Sequence, residues 1–281
     1  MPTFKKSQLQ LNNFQLLNEI FFPENYEADS RLNLKQIWEK AALQWEQTAA
    51  SIETPREIWD NIPTGKHFDS ILDLGCGYGR HAAYLSKQKK VTCNQYYGID
   101  ISENMLRRML TFNKAYNLFS SSDFSLICMQ MGQLPFEDNS IEFVISSSVF
   151  LHLEKQQLRQ NLAEIARVIK PGGVFIFEDL FYNRYCPANI LDNVLRKVRK
   201  PGLNLADLKQ YSWREINWLL KNSQLSQKCP QYTIKPHKSV LRPEQLKGVG
   251  IPTTPDIDRE MNPPEFLKGL LASGYRVYSK G

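Results

Sequence analysis

Ser70 to Leu85, SILDLGCGYGRHAAYL, constrains this chain more than any other stretch. Ile71, Leu72 and Leu74, with Asp73 among them, have the composition of a short buried strand. Gly75, Gly77 and Gly79 then make a tight turn, and HAAYL opens a helix. Glycines at such a turn let the backbone take positive φ and let a ligand approach the main chain, while the helix N-terminus offers unpaired N–H groups. A loop of this kind suits a polar cofactor. A dinucleotide fingerprint, G-x-G-x-x-G, needs its third glycine for close packing of helix on strand. Counted from Gly75, that place is Arg80, so the fingerprint fails.

The stretch D-L-G-C-G-Y-G resembles the first motif of the class I S-adenosylmethionine-dependent methyltransferases, in which an acidic residue sits two before the first of several alternating glycines. Two later stretches resemble the same family in the same order. QMGQLPFEDNSIEFVISSSVFLHL carries Leu134, Pro135 and Phe136, a turn at EDNS and a buried strand from Ile141 to Ile145. ARVIKPGGVFIFED is similar to the late core motif, with P-G-G at Pro171 to Gly173 expected to stop the preceding helix. The resemblance covers 70–179 well and 212–281 loosely, and similar patterns occur in small-molecule enzymes of quinone and natural-product biosynthesis. It implies an α/β, Rossmann-like, seven-stranded, mostly parallel sheet with helices on both faces. The last strand is expected antiparallel, at Tyr275 to Ser279, and the sixth near Gln231 to Ile234. Residues 1–66 read as an N-terminal helical cap and 67–281 as the methyltransferase domain, with a lid insertion near 180–211 and a long loop near 237–258.

The segment QYYGIDIS reads as the second strand, ending in Asp100 about 20 residues past the glycine loop, where a carboxylate suits both hydroxyls of a ribose. Ser102 caps the next helix, whose Met105 and Met109 read as core filler, with Met105 also placed to touch ribose or adenine. By the resemblance, the backbones of Gly75 and Ser146 together with Asp73 hold the methionyl ammonium of S-adenosyl-L-methionine. Cys76, Gly77 and Gly79 complete the loop, and Ile101 accompanies Asp100. Gln130 stands where the family usually has an Asp; its amide oxygen can accept the same adenine hydrogen bond, and the Met131 N–H can reach the ring. Trp45 falls where an aromatic commonly faces the cofactor, within a helical stripe of Leu34, Ile37, Trp38, Ala41 and Trp45 that otherwise reads as core packing.

His152 resembles the His often found after the fourth strand. It either satisfies a backbone group at a loop end or, because an unperturbed imidazole titrates near neutrality, removes a proton from the acceptor. Tyr182 and Tyr185 follow the fifth strand, with Phe181 and Tyr211, as candidates for the acceptor pocket or for ordinary lid packing. Methyl transfer from a sulfonium asks the protein mainly for alignment and desolvation.

Composition narrows the rest. A chain of 281 residues, 42% hydrophobic and 23% charged, is ordinary for a soluble protein that buries a sizeable core. No apolar h-region follows MPTFKKSQ and no run approaches the roughly 20 apolar residues of a membrane span, so a cytoplasmic location without a membrane partner is expected. Five scattered cysteines, none in C-x-x-C, suggest neither zinc nor a disulfide framework, and Cys76 and Cys128 read as core residues. A net charge of +6 permits an anionic substrate without implying nucleic acid. Ser146 to Val149 lacks the Pro-Pro-aromatic pattern of enzymes that methylate base amines, which argues against nucleic acid as acceptor. The preferred expectation is methylation of an oxygen or nitrogen of a small molecule. Two rivals remain open: a protein or RNA methyltransferase docking through Arg196, Lys197, Arg199 and Lys200, and a non-catalytic cofactor-binding protein or nicotinamide enzyme, against which Arg80 argues.

Overall fold

The structure is a computed structural model, which describes residues 9–24, 33–44, 64–88, 91–119, 122–179 and 274–280, with 62, 211, 215–216, 218–219, 223 and 225–229 between them. The apolar run before the glycines is β3 (Lys66–Leu74), in which Ile71, Leu72 and Leu74 are fully buried. Helix α2 (Arg80–Lys87) follows, then β4 (Val91–Asp100), α3 (Glu103–Tyr116), β5 (Asp123–Cys128) and β6 (Ile141–Ser147). Helix α4 (Lys155–Val168), β7 (Ile169–Asp179), β8 (Leu225–Cys229) and β9 (Gly274–Lys280) complete the order. Strand β3 pairs in parallel with both β4 and β6, while β5 continues on β4 and β7 on β6. Strand β9 is antiparallel to β7 and β8 to β9, which gives the expected seven-stranded, mostly parallel sheet.

Both faces are covered, so these strands are apolar on alternate residues to either side rather than on one side only. Ile71, Tyr96 and Phe143 pack with Ala82 and Leu85 of α2 and Leu106 and Met109 of α3. Leu72, Ile99 and Val144 face the other way, onto Leu158, Leu162 and Ile165 of α4. Ile216 and Leu219, in helical positions 215–216 and 218–219, add to this second face, and the Tyr211 hydroxyl donates to the Leu153 carbonyl at 2.7 Å. Tyr211 is therefore core packing rather than pocket lining.

Three expectations are corrected. The helical reading of residues 1–66 fails at β1 (Phe14–Leu17) and β2 (Ile20–Pro23), an antiparallel hairpin whose β2 pairs in parallel with β5. With it, the sheet has nine strands among the described residues. The hairpin turns at Asn18 and Glu19, both at positive φ (49° and 69°), the backbone twist that two-residue hairpin loops need, while Ile20 and Phe22 alternate inward. Within the N-terminal segment, helix is described only for α1 (Asn33–Gln44). Pro171–Gly173 does not stop α4, which ends at Val168. These residues lie inside β7, where the register against β6 jumps from Ile141 opposite Ile169 to Phe143 opposite Val174, and the glycines absorb the bulge. The strand paired with β9 is Leu225–Cys229, upstream of the place expected for the sixth strand. Positions 231–234, the lid at 180–211, the loop at 237–258 and the basic cluster lie outside the described residues.

One side chain ties α4 to the L-P-F segment. Arg167 donates through Nη1 to the Phe136 carbonyl at 2.7 Å and to Asp138 at 2.9 Å, and through Nη2 to the Leu134 carbonyl at 2.9 Å and to Glu164 at 2.8 Å. Glu164 in turn accepts the Leu134 N–H at 2.8 Å. The planar fork of the guanidinium matches this set of acceptors, and an ammonium does not. Arg167→Ala should cost roughly 2–3 kcal/mol of stability by leaving carbonyls without partners, and Arg167→Lys should recover less than half of it. Denaturant unfolding measures both; a loss for Arg167→Ala of under about 0.5 kcal/mol, the usual range for a surface substitution, would contradict the assignment.

Candidate active site

The connections that leave the carboxyl ends of β3, β4, β5 and β6 meet over β3, where the strand order reverses, the place at which open α/β sheets bind ligands. They enclose a cavity of about 260 Å³, closed on one side by Leu34 and Trp38 of α1.

The glycine loop is pinned to the end of β4, since the N–H groups of Gly75 and Cys76 both donate to the Ile99 carbonyl, at 2.8 and 3.0 Å. Gly75 has φ 68°, and a Cβ there would stand 2.3 Å from Val149 Cγ2, so only glycine lets the loop after β6 pack this closely. Gly77 has φ 54° and faces open space. Its N–H donates to Asp100 Oδ2 at 2.8 Å, while Asp100 Oδ1 accepts the Ser102 N–H at 2.9 Å. Burial pushes the Asp100 carboxyl up to about 6, against the pull of those two N–H donors. Ser102 Oγ accepts the Met105 N–H at 3.2 Å and caps α3 as expected.

Asp73 stands two residues before the loop and is wholly buried. Its Oδ2 accepts the Tyr96 hydroxyl at 2.8 Å, and its Oδ1 has no hydrogen-bond partner. Burial raises its pKa to about 7; the Tyr96 bond opposes this and the neighbouring Asp100 adds to it. A buried carboxylate oxygen lacking a donor, beside a glycine turn that leaves open space, fits a ligand that brings a cationic or N–H group.

His152 ends the short 3-10 turn Phe150–His152 and meets the Trp38 ring edge-on, with centroids 5.1 Å apart at 86°. Burial lowers its pKa to about 4, so at neutral pH it is an uncharged imidazole and a weaker base than the near-neutral titration expected from sequence.

Of the residues expected in the site, Gly75, Cys76, Gly77, Asp100, Ile101, Met105, Gln130, Met131 and His152 line the cavity. Asp73 and Ser146 are buried and off its wall, where Ser147 and Ser148 stand instead. Gly79 is the N-cap of α2, packed against Met109. Trp45, Tyr182 and Tyr185 lie outside the described residues. Trp38 and Leu34 were legible only as an i, i+4 pair of an apolar stripe, and a stripe does not say whether it faces core or cavity. Ser148, at φ 60°, carried no sequence signal.

A family model described as a methyltransferase domain matches residues 72–177. A sarcosine/dimethylglycine N-methyltransferase of Aphanothece halophytica is 29% identical over 171 residues, 60% of this chain and 58% of that protein. The 24-methylenesterol C-methyltransferase 2 of Arabidopsis thaliana is 32% identical over 106 residues, 38% of this chain and 27% of that protein. The chain spans about half the length of the first two curated relatives it matches. In fold it is similar to the geranyl diphosphate C-methyltransferase of Streptomyces coelicolor A3(2), solved with Mg2+, geranyl diphosphate and S-adenosyl-L-homocysteine; the TM-score is 0.53 at 12% identity, over 86% of this chain and 85% of that one. The matched stretch runs from the middle of β3 into β7 and holds every connection that builds the cavity except α1, so the part of this chain that resembles methyltransferase domains is the part that forms the cavity.

Proposed function

We propose that the chain binds S-adenosyl-L-methionine in this cavity and methylates a small molecule at an amine nitrogen or a carboxylate oxygen. The observation that carries the reading is Asp100, a half-buried carboxylate at the tip of β4 held by the Gly77 and Ser102 N–H groups on the cavity wall. In this reading Asp100 accepts the ribose hydroxyls. Gln130 and the Met131 N–H take the adenine edge, and the buried charge of Asp73 offsets the methionyl ammonium through the glycine turn. The backbone of Ser147 serves in place of Ser146. When bound, the cofactor supplies a methyl group on a sulfonium sulfur, and the Trp38 face offers a cation a favourable quadrupole.

His152 favours acceptors that bring their own lone pair. A neutral imidazole with a pKa near 4 accepts a hydrogen bond from an amine N–H or donates its own N–H to a carboxylate, and so orients either, but it draws a proton poorly from an alcohol. The N-methyltransferase named for sarcosine and dimethylglycine acts on acceptors of this kind. Tyr182 and Tyr185 remain the proposed contacts on the acceptor side.

Calorimetric titration with S-adenosylmethionine should give micromolar binding that Asp100→Asn weakens by about tenfold or more, the loss of one charged hydrogen-bonding group. Affinity should fall as pH is lowered from 8 to 5.5. Asp73 and Asp100 take up protons through about 7 and about 6, and the neutral carboxyls lose their attraction for a cation. An unchanged affinity over that range, or an unaffected Asp100→Asn, would contradict the reading.

Incubation with methyl-labelled cofactor and a panel of amines, carboxylates, phenols and alkenes tests the acceptor. Label should enter amines or carboxylates, with kcat for His152→Ala falling less than about 100-fold, the low end of general-base effects. Transfer only to phenols, or to carbon, would refute the acceptor class.

A further inference from the structure

The N-terminus of α3 is shared between two parts of the chain far apart in sequence. Its first four N–H groups, those of Ser102, Glu103, Asn104 and Met105, have no partner within the helix. Asp100 takes the first and Ser102 Oγ the last, both local bonds. The middle two go to α1: Glu39 Oε1 accepts the Glu103 N–H at 2.8 Å and Oε2 the Asn104 N–H at 3.2 Å. A carboxylate spread over two successive amides at a helix start combines charge-assisted hydrogen bonds with the favourable end of the helix dipole.

Helix α1 divides its faces accordingly. Leu34 and Trp38, one turn apart, line the cavity, while Ala42, one turn on from Glu39, is fully buried in the core. Ile37 and Leu43 are exposed. Among the described side chains of α1, few apolar ones hold this helix, and the Glu39 bonds fix both its height and its rotation over the cavity mouth. We propose that Glu39 is a positioning residue for the cofactor, a latch that holds Leu34 and Trp38 against the site by completing the cap of α3. The proposal rests on the cavity being the cofactor site. It makes α1 and the Asp100 loop a single unit, because one helical turn carries the bonds of both.

The test is calorimetric binding of S-adenosylhomocysteine and S-adenosylmethionine to the whole chain and to Glu39→Ala, Trp38→Ala and the double variant, with the melting temperature of each free protein. Glu39→Ala should weaken both ligands by the same factor, about tenfold, as expected for two lost charge-assisted bonds offset by solvent. The double variant should bind no more than about twofold worse than the weaker single one, because two residues acting through one helix are not additive. A structural role alone would lower the melting temperature and leave the two losses additive. Unchanged affinity, additive losses, or a loss confined to the sulfonium ligand would each overturn the latch. If Glu39→Ala does not fold, Glu39→Gln, which keeps one acceptor oxygen, should give a smaller loss, again non-additive with Trp38→Ala. Failure of the unaltered chain to bind either ligand would instead refute the cofactor reading itself.

Discussion

The hydrogen bonds that Asp100 accepts from Gly77 and Ser102 are the interaction on which the site depends. They join the glycine turn after β3 to the start of α3 after β4, two connections that the parallel sheet brings side by side. Two strands in register can place a loop only to within the freedom of its backbone. A carboxylate bridging both loops removes that freedom, and the Ile99 carbonyl, accepting from Gly75 and Cys76, fixes the other side of the turn. The glycines are then required by geometry: Gly75 by the approach of Val149, Gly77 by its left-handed backbone at φ 54°.

Holding two carboxylates in the interior has an energetic cost. Asp73 is buried and Asp100 half-buried, and each raises the pKa of its neighbourhood, with one oxygen of Asp73 unbonded. Both shifts are upward from the ordinary carboxylate value, so these groups stabilise the ligand-free fold at low pH, and that contribution is lost as pH rises through about 6 and about 7. A fold that keeps such a pair has a natural use for a ligand of opposite charge, which recovers part of the cost of burial on binding. That cost is local, and the apolar layers on both faces of the sheet, from Ile71 and Leu72 outward, supply the burial that offsets it.

The succession of core strands along the chain, the glycine turn, the carboxylate at the tip of β4 and the cap of α3 were legible because each leaves a local mark: an apolar run, alternating glycines, an Asp at a strand end, a Ser before a helix. The hairpin at 14–23 was readable in principle, since Ile20 and Phe22 alternate around a two-residue turn, but the helical stripe beginning at Leu34 drew the whole segment into one reading. Pro171–Gly173 misled because Pro and Gly mark bulges as well as helix ends. The bonds from Glu39 to α3 and from Arg167 to the L-P-F segment leave no local mark, since each pairs residues distant in sequence through geometry that only the folded chain creates. His152 was legible as a candidate; its depressed pKa depends on burial against Trp38, a neighbour set by the docking of α1.

A crystal structure of the chain with S-adenosylhomocysteine is the most direct measurement. It should show both ribose hydroxyls donating to Asp100 while the Gly77 and Ser102 N–H bonds persist, with the adenine edge against Gln130 and Met131 and Trp38 closing the site. Ligand bound elsewhere, or in this cavity with Asp100 untouched, would contradict the central claim that the Asp100 bridge is the cofactor's anchor.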